Sequence, residues 1–167
     1  MKQGVFALRT PEDLLGKLRH DVHRLLENHT DSFAAFDVAV AGYHMAEWIE
    51  GSSRRNPRER VDGELVLSVA RAIANGAKHF ETRDPINDIV QNSDRHVIRI
   101  EGGINGGAIN SHAVNGTALH SWMEIELSPS ISNSTGRRTW VAHEWAAQLL
   151  AYWEAEFKAM QGDVGTR

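Results

Sequence analysis

Apolar residues recur at spacings of three, four and seven in four separate segments, and each of these segments predicts an amphipathic helix. The predicted helices cover about residues 11–28, 32–50, 64–80 and 138–160. The first begins after Thr10, a hydroxyl residue that suits the capping position. The fourth carries Trp145, Leu149, Trp153 and Phe157 at intervals of four. Each apolar stripe needs a neighbour to cover it, so the four helices are expected to pack on one another.

Between the third and fourth helices the hydrophobic period changes from 3.6 towards two, which is typical of β-strands. Residues 119–127 alternate, with Leu119, Met123, Ile125 and Leu127 on one face. A second strand is predicted around residues 96–100 and a third at residues 108–114. The predicted fold class is therefore mainly α, a four-helix bundle with a small antiparallel β insert of two or three strands at about residues 95–128. The whole chain, residues 1–167, is expected to form a single domain.

Composition excludes several classes of protein. The chain has 167 residues and no cysteine, so a disulfide scaffold and thiol chemistry are excluded. Its formal net charge of -4 argues against attraction of nucleic acid over the whole surface but leaves local basic patches open. No stretch is apolar enough to span a membrane, and the first residues lack a secretory apolar core. These features predict a cytoplasmic protein with no membrane partner.

Ionisable residues fall on the predicted inner face of the second helix. At 100° per residue, Asp37, His44 and Glu47 share a face with Phe33 and Phe36, and we expect that face to point towards the core. Because a buried charge is costly unless it is paired, each of these groups should find a partner.

Polar residues on the third helix supply the expected partners. A stripe of Arg71, Asn75 and His79 runs beside its apolar face, with Lys78 next to it. If the second and third helices lie antiparallel, the two polar sets meet. Two interpretations remain open: a structural network that fixes helix register, or a groove in which Asp37, His44, Glu47 and Arg71 bind a ligand.

The segment from Ala74 to His79 resembles the Arg-Asn-x-x-x-His signature of the HEPN superfamily, whose members are helical-bundle domains and often ribonucleases in bacterial defence and toxin–antitoxin systems. Asn75 and His79 match the signature at its separation. The resemblance implies catalytic roles for Asn75 and His79, with Lys78 or Arg71 as a borrowed cation. Ala74 replaces the arginine of the signature, which argues against metal-independent cleavage. Residues 43–48 and 74–80 are also similar to segments of bacterial and phage-associated proteins without an assigned activity, a likeness that implies fold more than function.

A basic segment separates the second and third helices. It contains Arg54, Arg55, Arg58 and Arg60 around a proline, so it is expected to be an exposed connection rather than a helix interior. If RNA is the partner, these arginines would hold its phosphates; otherwise they form a solvated loop.

Two functions from different classes follow from these patterns. The first is a non-catalytic HEPN-like binding or interaction module, expected to be a homodimer with RNA or protein as a further partner. The second is a metal-independent ribonuclease that uses His79 and Asn75 for acid–base chemistry. No cofactor is predicted for either.

A metal-binding helical bundle is a third alternative. His20, His23, His44, Glu47 and His79 would come from three helices to surround one ion. The chain lacks an HExxH or repeated ExxH pattern, so no metal is predicted as the primary interpretation. His143 is expected on the outer face of the fourth helix, in contact with solvent.

Overall fold

The computed structural model describes residues 8–50, 61, 63–78, 90–101 and 118–164. These residues form five helices and three strands. In chain order the elements are α1 (Pro11–Glu27), α2 (Ser32–Glu50), α3 (Leu65–Lys78), β1 (Val90–Glu101), β2 (Ala118–Leu127), α4 (Pro129–Thr135), β3 (Thr139–Val141) and α5 (Ala142–Val164). The chain is thus mostly helical with a small antiparallel sheet, as predicted. No described helix is both long enough and apolar enough to cross a membrane.

Local sequence signals explain where α1 and α2 begin. Thr10 accepts a hydrogen bond from the backbone N–H of Asp13, while the Asp13 carboxylate accepts from the backbone N–H of Thr10, which completes a capping box. Asp31 caps α2, where its Oδ1 accepts from the backbone N–H of Ala34 at 2.9 Å. Both predicted starts are confirmed.

The three other long helices pack against α2. This helix contacts α1, α3 and α5, and α5 also contacts α1 and α3. The predicted stripe of α5 is confirmed, because Trp145, Leu149 and Trp153 are fully buried and Phe157 is nearly so. Two indole N–H groups tie α5 to its neighbours: Trp145 donates to the carbonyl of Val66 in α3, and Trp153 donates to the carbonyl of Gly42 in α2.

The sheet has the order β1-β2-β3, with both pairs antiparallel. Met123, Ile125 and Leu127 of β2 are buried, which confirms the predicted alternation at these positions. β1 begins at Val90, earlier than predicted. The third strand is Thr139–Val141, a segment that sequence analysis assigned to the start of the last helix. The strand predicted at residues 108–114 lies outside the described residues.

A short helix, α4, precedes the turn that joins it to β3. None of the four predicted helices includes these residues. Pro129 stands in the first turn of α4, and Gly136 ends the helix with a φ of 70°, a left-handed conformation that glycine adopts at no steric cost. This connection places β3 beside β2 immediately before α5 begins.

The buried face of α2 is not the predicted one. Phe33 is 78% exposed and Phe36 is 38% exposed, whereas Ala34, Val38 and Met45 are fully buried. Most of the buried residues of α2 are alanine or glycine, and their small side chains allow α1, α3 and α5 to approach α2 closely. Side-chain size therefore misled the assignment, because the close packing of three neighbours selects small residues over large aromatic ones.

Candidate functional site

The predicted inward-facing residues of α2 lie at the surface. The side chains of Asp37, His44 and Glu47 are 38%, 29% and 54% exposed. His44 Nδ1 lies 3.0 Å from Glu47 Oε2, one helical turn away, so these two residues interact with each other. The expectation that all three point into the core is wrong, because they follow the outer face of α2 together with Phe33.

Asp37 belongs to an ion-pair network between α1 and α2. Arg24 Nη1 lies 3.2 Å from Asp37 Oδ2, and Arg24 Nη2 lies 3.1 Å from Asp31 Oδ2. Lys17 pairs with the buried Asp21, which also lies 3.7 Å from Arg24. The backbone N–H of Ala34, followed by the charge of Arg24, lowers the pKa of Asp31. These contacts fasten the end of α1 to the start of α2, which is a structural role.

The polar stripe of α3 is partly inside the protein. Arg71 is 7% exposed and Ser68 is 6% exposed, while Asn75 is half-buried. Ser68 Oγ donates to the carbonyl of Val61 at 2.7 Å. Arg71 and Asn75 each make a polar interaction as well. The expected inward position is therefore confirmed for Arg71, and Asn75 is half-buried, while His79 lies outside the described residues.

Several predicted residues lie outside the part of the chain that the structure describes. They are His79, the side chain of Lys78, and the basic set Arg54, Arg55, Arg58 and Arg60. The predicted meeting of His44 with His79 consequently stays a prediction. The catalytic assignments to Asn75, Lys78 and His79 also stay predictions.

Sequence analysis missed the buried acid of α2. Glu50, the last residue of α2, is 5% exposed, and it also makes a polar interaction. It lies four residues beyond Ala46 and eight beyond Gly42, both on the buried face, so correct assignment of that face would have identified it. Glu50 on α2 and Arg71 on α3 are therefore buried side chains of opposite formal charge, and the two helices pack together.

Two histidines form a second polar feature that the sequence did not indicate. The rings of His29, between α1 and α2, and His143, at the start of α5, are stacked with centroids 3.8 Å apart and planes 11° from parallel. The backbone N–H of Met123 in β2 donates to the carbonyl of His29 at 3.2 Å. The expected outward, solvated position of His143 is wrong. Its ring is half-buried because the loop before α2 covers it.

Burial lowers the pKa of His143, and the neighbouring His29 lowers it further, while Glu144 acts in the opposite direction. Nδ1 of His143 is buried and has no hydrogen-bond partner among the described residues. Burial and the stacked His29 ring therefore both favour the neutral form of the His143 imidazole over its protonated form.

Stability is expected to fall as the pH drops below the unfolded-state histidine pKa of 6.5. The unfolded chain then takes up a proton that folded His143 resists, so the contribution is fully present above that pH and is lost below it. Urea unfolding at about pH 7.5 and about pH 5 measures the loss, which we expect to be smaller in His143→Gln. The exposed His20→Gln is the control. An equal loss in His143→Gln and the wild type would contradict the prediction.

An apolar pocket lies between α2, α3, β2 and the start of α5. Its volume is about 160 Å³, and its walls include Phe36, Ile73, Met123 and Trp145. Ser32 at the start of α2 also lines it. The pocket lies close in sequence to the stacked histidines, because Ser32 follows His29 by three residues. Its mostly apolar walls with one hydroxyl at the edge have the composition that is common in small-molecule sites.

The described residues contain no cluster of side chains that supports the metal-binding alternative. No group of three or more histidine, aspartate or glutamate side chains within residues 8–50, 63–78, 90–101 and 118–164 is arranged to hold an ion. His23 is 72% exposed and pairs with Glu27 at 3.1 Å, and His20 is exposed. Among the proposed ligands that the structure describes, His44 and Glu47 are in contact.

Comparisons with protein-family models, with curated proteins and with solved structures give no match to this chain.

Proposed function

We propose that the chain is a non-catalytic binding module related to HEPN domains, with its four long helices arranged as a four-helix bundle. The observation that supports this best is at position 74, where the resembled signature has arginine. Ala74 is 3% exposed, in the packed part of α3. This position is unsuited to a cation that must meet a phosphate in solvent.

The nearest alternative cation is also poorly placed. Arg71 precedes Asn75 by one helical turn, so the two side chains share a face of α3. However, Arg71 is 7% exposed and makes a polar interaction within the protein. A guanidinium in this position is poorly exposed to the phosphate of an RNA bound at the surface.

An RNA degradation assay tests the absence of catalysis. Purified full-length protein is incubated with labelled single-stranded and hairpin RNA in the presence of EDTA, and we expect no cleavage above the buffer control. Cleavage that disappears in both His79→Ala and Asn75→Ala would overturn the proposal in favour of the ribonuclease. The two variants separate intrinsic activity from a contaminating nuclease, which would survive both substitutions.

We also propose that the module forms a homodimer through the outer face of α2. Phe33 and Phe36 are adjacent on this face at a spacing of three, and Phe33 is 78% exposed. Two neighbouring exposed phenylalanines leave a large apolar area in water, and such areas mark interaction sites. The half-exposed Asp37 and His44 would form the polar rim of the interface.

Sedimentation equilibrium tests the dimer. We expect a dimeric mass for the wild type and a shift towards the monomer in Phe33→Ser, because the substitution removes the most exposed apolar side chain of the face. Met160→Ser on α5 is the matched control, since Met160 is 38% exposed and lies on another helix. A monomeric wild type would contradict the dimer, and an equal shift in both variants would place the interface elsewhere.

RNA contact through Arg54, Arg55, Arg58 and Arg60 is a separate proposal that the sequence alone supports. Phosphate contacts release counterions, so such binding should weaken steeply with salt. A cytoplasmic location likewise stays a prediction from the sequence.

A further inference from the structure

The apolar pocket has a deep floor and an open rim. Trp145, Met123 and Ile125 line it and are almost completely buried, so they form its floor. Phe36, which is 38% exposed, and the exposed Ser32 line it at the solvent side. The most exposed residues of the lining therefore lie near the start of α2.

We infer that this pocket binds a small uncharged molecule built on one aromatic ring, of the simple phenol class. Its volume of about 160 Å³ matches the size of one six-membered ring. An apolar protein cavity of about 150 Å³ accommodates benzene.

The chemistry of the walls selects the same class of ligand. None of the residues that line the pocket is charged, so an ionic ligand would lose its hydration without gaining a partner. The thioether of Met123 and the indole of Trp145 offer contacts that favour an aromatic ring over an aliphatic one. The Ser32 hydroxyl at the rim can donate a hydrogen bond to a phenolic hydroxyl or accept one from it.

The pocket and the proposed dimer interface share Phe36 but differ at Phe33. Phe33, which is the most exposed residue of that interface, is not among the residues that line the pocket. A substitution at Phe33 can therefore weaken dimerisation without changing a wall of the pocket. The ligand inference stands whether or not the proposed function is correct.

Methyl-detected NMR of the full chain, titrated with phenol, tests the inference. We expect saturable shifts at the methyl groups of Met123, Ile73 and Ile125, with a Kd on the order of 1 mM for so small a molecule. Glycerol, a polar molecule of similar size, should shift none of these signals. Linear, non-saturating shifts, or equal shifts with glycerol, would overturn the inference.

A pocket-filling variant provides the matched test. Ala35 lines the pocket and is half-buried, so Ala35→Leu adds bulk inside it without entering the fully packed core. We expect phenol affinity to fall by at least about tenfold as the volume is occupied. Ala155→Leu, on the exposed side of α5, should leave the affinity unchanged. Unchanged affinity in Ala35→Leu would overturn the inference.

A second filling variant covers the case in which Ala35→Leu does not fold by circular dichroism. Ile73→Phe places a ring in the same space from α3 and carries the same expectation. Phe33→Ser should retain phenol binding even where it dissociates the dimer, so failure of the dimer proposal and failure of this inference give different results.

Discussion

Replacement of Trp153 by alanine is expected to lower the free energy of unfolding by about 3–5 kcal/mol. Trp153 is fully buried between α5 and α2, and its Nε1 donates to the Gly42 carbonyl at 3.0 Å. The substitution removes the largest type of side chain from a packed core and leaves a cavity that rigid helices on both sides cannot fill. Since small domains are stable by only about 5–15 kcal/mol, this loss is a large part of the total.

Urea unfolding followed by far-UV circular dichroism measures the effect, because the tryptophan fluorescence signal itself changes in the variant. Trp153→Phe is the control that retains a ring and removes the indole N–H. The Gly42 carbonyl is within a helix, so the missing hydrogen bond should cost only about 1 kcal/mol, and the remainder should reflect the smaller ring. A loss below about 1 kcal/mol in Trp153→Ala would show that α5 does not anchor the core as described.

The position of α5 in the core was predictable because its signal is unambiguous. Trp145, Leu149 and Trp153 recur every four residues, and each is large and apolar, so only one face of the helix can be buried. The caps at Thr10 and Asp31 were predictable for a similar reason. A cap is a local device whose hydrogen bonds join residues three apart, and its signature is complete within one turn.

The burial of α2 was not predictable by the same method. Nearly every position of this helix is apolar or small, so hydrophobicity alone leaves several faces acceptable, and the largest residues drew the assignment to Phe33 and Phe36. In the structure, the buried face is the one that carries Ala34, Val38 and Met45, because three helices pack against α2. The number of neighbours is a property of the tertiary fold, which one helix does not reveal.

The wrong assignment of the buried face of α2 also affected the candidate site. Asp37, His44 and Glu47 were expected inside because they share a face with the phenylalanines, and they lie outside for the same reason. The stack of His29 on His143 had no sequence signal, because it joins a loop to a helix start 114 residues later. The apolar pocket likewise combines residues from four elements, so its existence depends on the packing of all four.

A substitution on the buried face of α2, which consists mostly of small residues, is also expected to have a large effect on stability. Gly42→Val should destabilise the protein by about 3 kcal/mol or more. A Cβ at position 42 would lie 3.0 Å from Leu149 Cγ and closer still to one of its methyl groups. Leu149 is fully buried, so it has no free space to move into, and α5 would have to shift away from α2. Such a shift would also stretch the hydrogen bond from Trp153 to the Gly42 carbonyl.

Glycine-to-alanine changes at two sites distinguish this crowding from helix propensity. Gly16 in α1 is exposed, and a Cβ there has no atom within 4 Å, so Gly16→Ala should stabilise the protein by about 0.5–1 kcal/mol. Gly42→Ala gains the same propensity but crowds Leu149, so its net effect should be destabilising. The double variant Gly42→Ala/Leu149→Ala should be less destabilised than the sum of the single variants, with a coupling of about 1–3 kcal/mol. Additive effects in that cycle would mean that α2 and α5 do not meet at position 42, because only direct contact makes the loss of the leucine relieve the added methyl group.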